Sequence, residues 1–134
     1  MTTTETPQWL GLRSSDWIER VENGLPPELV DRLIDEGKLS AEEAYQLIAP
    51  RRTFSRRKRR GESLSREESD RLARFARLMS FAERVFGDEA KAKSWMRTPN
   101  GALDRRTPLS LLTTDAGATE VERVIGRIAH GVYS

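Results

Sequence analysis

Apolar residues recur along most of this chain at the three- and four-residue spacing of a helix, and strand-like alternation is scarce. Trp17, Ile18 and Val21 mark a first short helix, with Ser14 or Ser15 as its cap and Asn23-Gly24 as its end. Leu29, Val30, Leu33 and Ile34 mark a second, with Pro26 and Pro27 in its first turn and Gly37 closing it. Ser40 and Glu43 form a capping box ahead of Ala41, Ala44, Leu47 and Ile48. Pro50 ends that pattern, the run Arg51 to Arg60 follows, and Gly61 stops it. Ser65 and Glu68 form a second capping box, which opens a long helix running to about Phe86. Leu72, Phe75, Met79, Ala82 and Phe86 make one seam along it, and Leu78, Phe81 and Val85 make another. A helix with two apolar faces is mostly buried, or buried in a partner.

Beyond the turn at Gly87-Asp88, Ala90, Ala92, Trp95 and Met96 predict a helix that stops before Pro99. Residues 99–103 read as an ordered loop. Thr107 caps a short helix with Pro108 at its first position and with Leu109, Leu111 and Leu112 facing inward. Val121, Val124, Ile125 and Ile128 predict a last helix over roughly 118–130, stopped by Gly131, with Val132, Tyr133 and Ser134 as a short tail. Trp95, Leu109, Leu112, Val121, Val124, Ile125 and Ile128 read most simply as core. Trp9 and Trp17 read as core or interface anchors. The expected fold class is all-α, with a boundary inside the long helix near residue 76.

Composition narrows the function. The chain has 134 residues, no cysteine and one histidine, His130. Disulfides, thiol catalysis and cysteine- or histidine-rich metal sites are excluded. No apolar run approaches the roughly 20 residues of a spanning helix. MTTTETPQW has no basic stretch leading into an apolar core, so no secretory signal is expected. No nucleophile has a neighbouring histidine base, and no glycine spacing suits a phosphate loop. His130 suits a helix end, and acidic pairs such as Glu42-Glu43, Glu67-Glu68 and Asp88-Glu89 suit helix starts. The expectation is no enzyme, no metal and no cofactor.

Charge is the informative feature. The net of +2 hides −6 over residues 1–50, +7 over 51–77 and +1 over 78–134. In RRTFSRRKRR, residues 51–60, seven of ten side chains are basic. A capped helix and a tight turn precede the run, which is the outline of a helix-turn-helix unit whose second helix enters the major groove. Arg51, Arg52, Thr53, Ser55 and Arg56 are the candidates for base edges. Arg57, Lys58, Arg59 and Arg60 are the candidates for phosphates. Phe54, the one large apolar residue in the run, anchors the helix to the core. The competing reading is a solvated charge run. RNA is a further alternative, although the chain lacks the aromatic strand surface of common single-strand readers.

The C-terminal segment FAERVFGDEAKAKSWMRTPNGALDRRTPLSLLTTDAGATEVERVIGRIAHGVYS resembles the toxin-binding domain of the Xre/MbcA/ParS antitoxin family. The resemblance is carried by Val85-Phe86-Gly87, Ala92, Trp95, Pro99-Asn100, Ala102-Leu103, Thr107-Pro108-Leu109 and Leu111-Leu112. It continues through Gly117-Ala118, Val121-Glu122, Arg127-Ile128 and Gly131-Val132-Tyr133-Ser134. Upstream, Arg52-Thr53-x-x-Arg56-Arg57 and Glu67-Glu68-Ser69-Asp70-Arg71-Leu72 are similar to the family's helix-turn-helix region. The resemblance spans roughly residues 26–134. It implies an N-terminal extension (1–25), a helix-turn-helix DNA-binding region (26–75) and a toxin-binding and dimerisation domain (76–134).

It further implies a cytoplasmic type II antitoxin that represses its own operon as a dimer. The implied partners are operator DNA and a cognate RES-domain toxin that destroys NAD, held in a hetero-oligomer with no membrane component. The implied toxin contacts are Trp95, Pro99, Asn100, Leu103, Arg127, Val132, Tyr133 and Ser134, the last three at the toxin's active-site entrance. Tyr133 suits such a plug because tyrosine joins an apolar body to a polar tip. The plain reading of the same tail is a frayed terminus. One departure stands out. The family commonly has two glycines where this chain has Asp104 and Arg105, so the resemblance predicts a loop of different shape around residues 103–106. The alternatives are a stand-alone dimeric DNA-binding transcriptional regulator and a helical adaptor whose basic run binds an acidic protein.

Overall fold

The computed structural model describes residues 14–133, and for Ser14, Ser15, Val132 and Tyr133 the backbone alone. Trp9 and Ser134 lie outside the described residues. All the regular elements described are helical: α1 (Ser14–Asn23), α2 (Glu28–Asp35), α3 (Ala41–Leu47), α4 (Arg51–Arg60), α5 (Arg66–Phe86), α6 (Glu89–Met96) and α7 (Asp115–Tyr133). Two short 3-10 helices, Gly101–Leu103 and Leu109–Thr113, lie between α6 and α7. By its internal contacts the chain divides inside α5, between Ala73 and Arg74.

The first unit joins α1 to α4 with the start of α5. Its core holds Trp17, Leu25, Leu33, Ile48, Phe54 and Leu72. The chain between α1 and α2 is pinned by backbone pairing: Leu64 N–H donates to the Leu25 carbonyl (2.8 Å), and Leu25 N–H donates to the buried Ser69 hydroxyl (2.8 Å). Gly24 has φ +98°, and a Cβ there would sit 2.5 Å from the Leu64 carbonyl oxygen, so only glycine fits. Pro26 and Pro27 precede α2 instead of occupying its first turn; Pro27 is the N-cap. Gly37 closes α2 in the left-handed conformation, with Lys38 N–H donating back to the Leu33 carbonyl. Both capping boxes form as their sequences predict, Ser40 with Glu43 and Ser65 with Glu68.

The second unit packs the rest of α5 with α6, the 3-10 helices and α7. Phe75, Met79, Ala82, Met96, Leu112, Val121 and Ile125 are fully or nearly fully buried. Arg74 donates to the Leu112 carbonyl (3.1 Å), and Arg77 pairs with Glu122 (3.1 Å). Asp88 caps α6 by accepting from the Ala90 and Lys91 amides. Three expectations change here. Trp95, Leu111 and Ile128 are half-buried, not core, and Trp95 lies against Phe86 with ring centroids 5.7 Å apart. The helix after Pro108 is 3-10, with the Thr107 hydroxyl accepting from Ser110 N–H. Finally, α7 starts at Asp115 and runs straight through Gly131 to Tyr133. A glycine stops a helix only where it turns left-handed, and Gly131 stays in the helical ladder, so Val132 and Tyr133 extend a helix and do not form a separate tail.

A candidate nucleic-acid interface and a candidate partner surface

The turn at residues 48–50 delivers α4 on an extended Pro50. Proline suits this place because the amides it would block have no partner at a helix start. Arg71 Nε on α5 donates to the Ile48 carbonyl (2.9 Å), which satisfies the end of α3 and fixes the turn. Phe54 is buried and lies against Tyr45 of α3, ring centroids 5.9 Å apart. Gly61 ends α4 with φ +65°, and Glu62 N–H donates to the Arg57 carbonyl (2.8 Å).

With Phe54 facing inward, the helical repeat sorts the basic side chains onto two faces. Arg52, Ser55, Arg56 and Arg59 stand at i, i+3, i+4 and i+7, a single stripe away from the anchor. Among the described residues, Arg51, Arg52, Arg56, Arg59 and Arg60 have no hydrogen-bond or ion-pair partner for their guanidinium groups. Arg57 and Lys58 point back toward the protein. Arg57 grips Glu68 through Nε (3.1 Å) and Nη2 (3.3 Å), and its Nη1 stands 3.5 Å from Glu62. Lys58 pairs with Asp31 of α2 (3.1 Å). Burial works to raise the Glu68 carboxyl. The Ser65 N–H and the Arg57 guanidinium outweigh it and hold the group below the usual glutamate range. The hydrogen bond to Glu68 pushes the Arg57 guanidinium above its ordinary value, against a smaller effect of burial.

Of the residues that the sequence singles out on this helix, Arg52, Ser55 and Arg56 are therefore brought onto one face. Arg51 and Thr53 flank them, and Arg57 and Lys58 are engaged elsewhere. Sequence reasoning missed Glu68 and Asp31 as partners of the run. The signal for Glu68 was present, since its place in a capping box fixes its side chain at the start of α5.

In the second unit the loop residues organise around Asn100. Its side chain accepts from Ala102 N–H (2.9 Å), its carbonyl accepts from Leu103 N–H (3.0 Å) and Arg105 N–H (2.9 Å), and its own N–H donates to the Arg106 carbonyl (3.1 Å). This network carries Asp104 and Arg105 at φ +55° and +65°. Both residues thus take the left-handed conformation that glycine also permits. Pro99 and Arg127 are exposed, Trp95 and Asn100 half-buried, and Leu103 buried. An open groove of about 350 Å³, not foreseen in the sequence, is lined by Arg106, Leu111, Thr113, Thr114, Ala116, Gly117 and Glu120. Gly117 lies so close to the Leu111 carbonyl that a Cβ could not fit. His130 is exposed in the last turn of α7. Among the described residues there is no cluster of metal-ligating side chains, and no helix is long and apolar enough to cross a membrane.

Two helical units, the first with the basic helix α4 set after a tight turn, define an all-α protein of helix-turn-helix type. Residues 16–77 match the family model "Antitoxin Xre-like helix-turn-helix domain", and residues 81–131 match "Antitoxin Xre/MbcA/ParS C-terminal toxin-binding domain". The chain is 36% identical over 124 residues to Antitoxin Xre of Yersinia enterocolitica, covering 91% of this chain and 84% of that one. It is 38% identical over 112 residues to Antitoxin Xre of Pseudomonas putida, covering 84% and 70%. A third relative, Antitoxin Xre of Photorhabdus laumondii, is 36% identical over 116 residues, covering 85% and 78%. The chain belongs to the Xre antitoxin family, and its members are regulators and not enzymes.

Proposed function

We propose that this chain is a cytoplasmic type II antitoxin that acts at two surfaces. The first unit binds operator DNA as part of a homodimer and represses the operon. The region from residue 76 onward binds a cognate RES-domain toxin and closes the toxin's NAD pocket. The observation that carries the DNA reading is the stripe Arg52, Ser55, Arg56 and Arg59, uncompensated among the described residues and opposite the buried Phe54. Arginine can reach guanine bidentately, and a dimer presents two such helices about one DNA turn apart. Family membership supports the toxin reading, and Trp95, Pro99, Asn100, Leu103, Arg127, Val132, Tyr133 and Ser134 are the contacts proposed from the resemblance.

Co-expression with the protein encoded beside this chain tests the whole proposal. Growth arrest by that protein alone, relieved by a stable complex, is the expected result. No toxicity and no complex would leave a dimeric DNA-binding regulator. Replacing Arg52 and Arg56 with alanine should abolish promoter binding and spare the complex. Deleting residues 132–134 should impair neutralisation and spare DNA binding; full neutralisation by the truncated chain would remove the plug.

A further inference from the structure

Seven basic residues on one short helix invite the assumption that all seven face phosphates. The geometry behind α4 separates one of them from the rest. Arg57 lays its planar fork on both oxygens of Glu68, and the side chains are only 19% and 11% exposed. Glu68 cannot drift, because the same oxygen that receives Arg57 Nε also accepts from Ser65 N–H (2.8 Å) in the capping box. Glu68 N–H in turn donates to the Ser65 hydroxyl (3.1 Å). The anchor is thus built into the first turn of α5. By contrast Lys58 holds Asp31 through one nitrogen shared between the two carboxylate oxygens (3.3 and 3.1 Å), with side chains 39% and 48% exposed. Such pairs hold little geometry.

A helix held by Phe54 alone could roll about its axis. A second, bidentate grip one turn further along removes that freedom, since Arg57 follows Phe54 by three residues on the same side. Rolling matters for base edges, which demand defined positions, and matters little for the diffuse attraction of phosphates. Were Arg57 to swing out to a phosphate, Glu68 would be left partly buried and unpaired, an unfavourable exchange.

We propose that Arg57 is a positioning residue and not a phosphate contact: clamped on Glu68, it fixes the roll of α4 and so sets which bases Arg52, Ser55 and Arg56 read. The proposal rests on the DNA-binding reading above.

The test compares the full-length wild-type chain with Arg57→Ala, Arg57→Lys and Glu68→Gln. Two duplexes of equal length are used, one carrying the promoter region of the chain's own gene and one of random sequence, between about 50 and about 200 mM salt. Arg57→Ala should weaken promoter binding about tenfold, the scale of one lost bidentate base contact, and leave random-duplex binding unchanged. Its log-log salt slope should equal that of the wild type, whereas loss of a phosphate contact lowers the slope by about one. Arg57→Lys keeps the charge but not the fork, and should behave like the alanine variant. Glu68→Gln removes a negative charge, which by long-range electrostatics alone would tighten binding; the clamp requires it to weaken promoter binding instead. Circular dichroism reports folding, and should Arg57→Ala not fold, the lysine and glutamine variants decide. Equal weakening on both duplexes with a reduced slope, wild-type behaviour of Arg57→Lys, or tighter promoter binding by Glu68→Gln each overturns the clamp. A wild-type chain that binds neither duplex at any salt overturns the DNA reading itself, and the positioning role with it.

Discussion

Residues 14–73 and residues 74–133 hold their helices in different ways. In the first unit, α2, α3 and α4 are too short to be stable alone; local caps close most of their ends, and Arg71, 23 positions on, satisfies the end of α3. Ser40 with Glu43, Ser65 with Glu68, and the left-handed Gly37 and Gly61 are the local caps. The second unit also has local caps, at Asp88 and Thr114, and adds arginines of α5 that reach segments 38 and 45 positions away. Arg74 reaches the Leu112 carbonyl, Arg77 reaches Glu122, and Gly117 admits the Leu111 carbonyl against the backbone of α7. In the first unit, a highly charged helix such as α4 is kept in place by its end signals, the buried Phe54 ring and the Arg57–Glu68 pair.

Four measurements sharpen or break that contrast, in order of expected effect. Phe54→Ala removes the ring that seats α4 and should lower stability by about 3–5 kcal/mol. Denaturant unfolding would read the loss, and amide exchange should place it within residues 14–73; uniform loss along the chain would erase the distinction. Gly117→Ala drives a methyl into the Leu111 backbone and should lower stability by about 1–3 kcal/mol. Its exchange signature should fall at Leu109–Thr113 and along α7, and an unchanged melting temperature would show that this close approach is not needed. Ser40→Ala deletes half of a capping box and should lower stability by about 1 kcal/mol, confined to α3.

The smallest effect is a pH dependence at Glu68. Its carboxyl titrates below the usual range when folded, so its stabilisation is fully present above the ordinary value of about 4.3 and is lost as pH falls through the lowered one. The groups facing it are the Arg57 guanidinium and the Ser65 amide and hydroxyl. Melting temperatures between about pH 6 and about pH 3 should fall less steeply for Glu68→Gln than for the wild type. Parallel curves would assign acid sensitivity to other carboxylates.

The same contrast explains how much is legible in the sequence. The ends of α4 and α5 obey local signals because Pro50, Gly61, Ser65 and Glu68 act on their neighbours. The start of α7 lies ahead of the expected one because Thr114, whose hydroxyl accepts from Gly117 N–H (3.0 Å), stands outside the apolar pattern. Gly131 reads as a stop because glycine often is one, but its own backbone angles decide that, and residue type does not fix them. Trp95 reads as core because of its size, yet it is half-buried against Phe86. At the candidate interface, residue type marks the basic helix correctly as a surface feature. It does not separate Arg57 from Arg56, because the partner that distinguishes them lies eleven positions downstream.

The pair Asp104-Arg105 sets charge against strain at one loop. Each residue held left-handed costs about 1–2 kcal/mol, and the hub at Asn100 sustains both. Glycine there would relieve that strain, but it would widen the range of conformations open to the unfolded chain, an opposing effect of about 0.4–1 kcal/mol. Over the two positions the strain, about 2–4 kcal/mol, outweighs the opposing effect, about 1–2 kcal/mol, so a glycine pair should stabilise the fold by about 1–2 kcal/mol. The exchange would also remove one exposed carboxylate and one exposed guanidinium from the loop. The charged pair therefore gives up some stability for an electrostatic face that a glycine pair would lack.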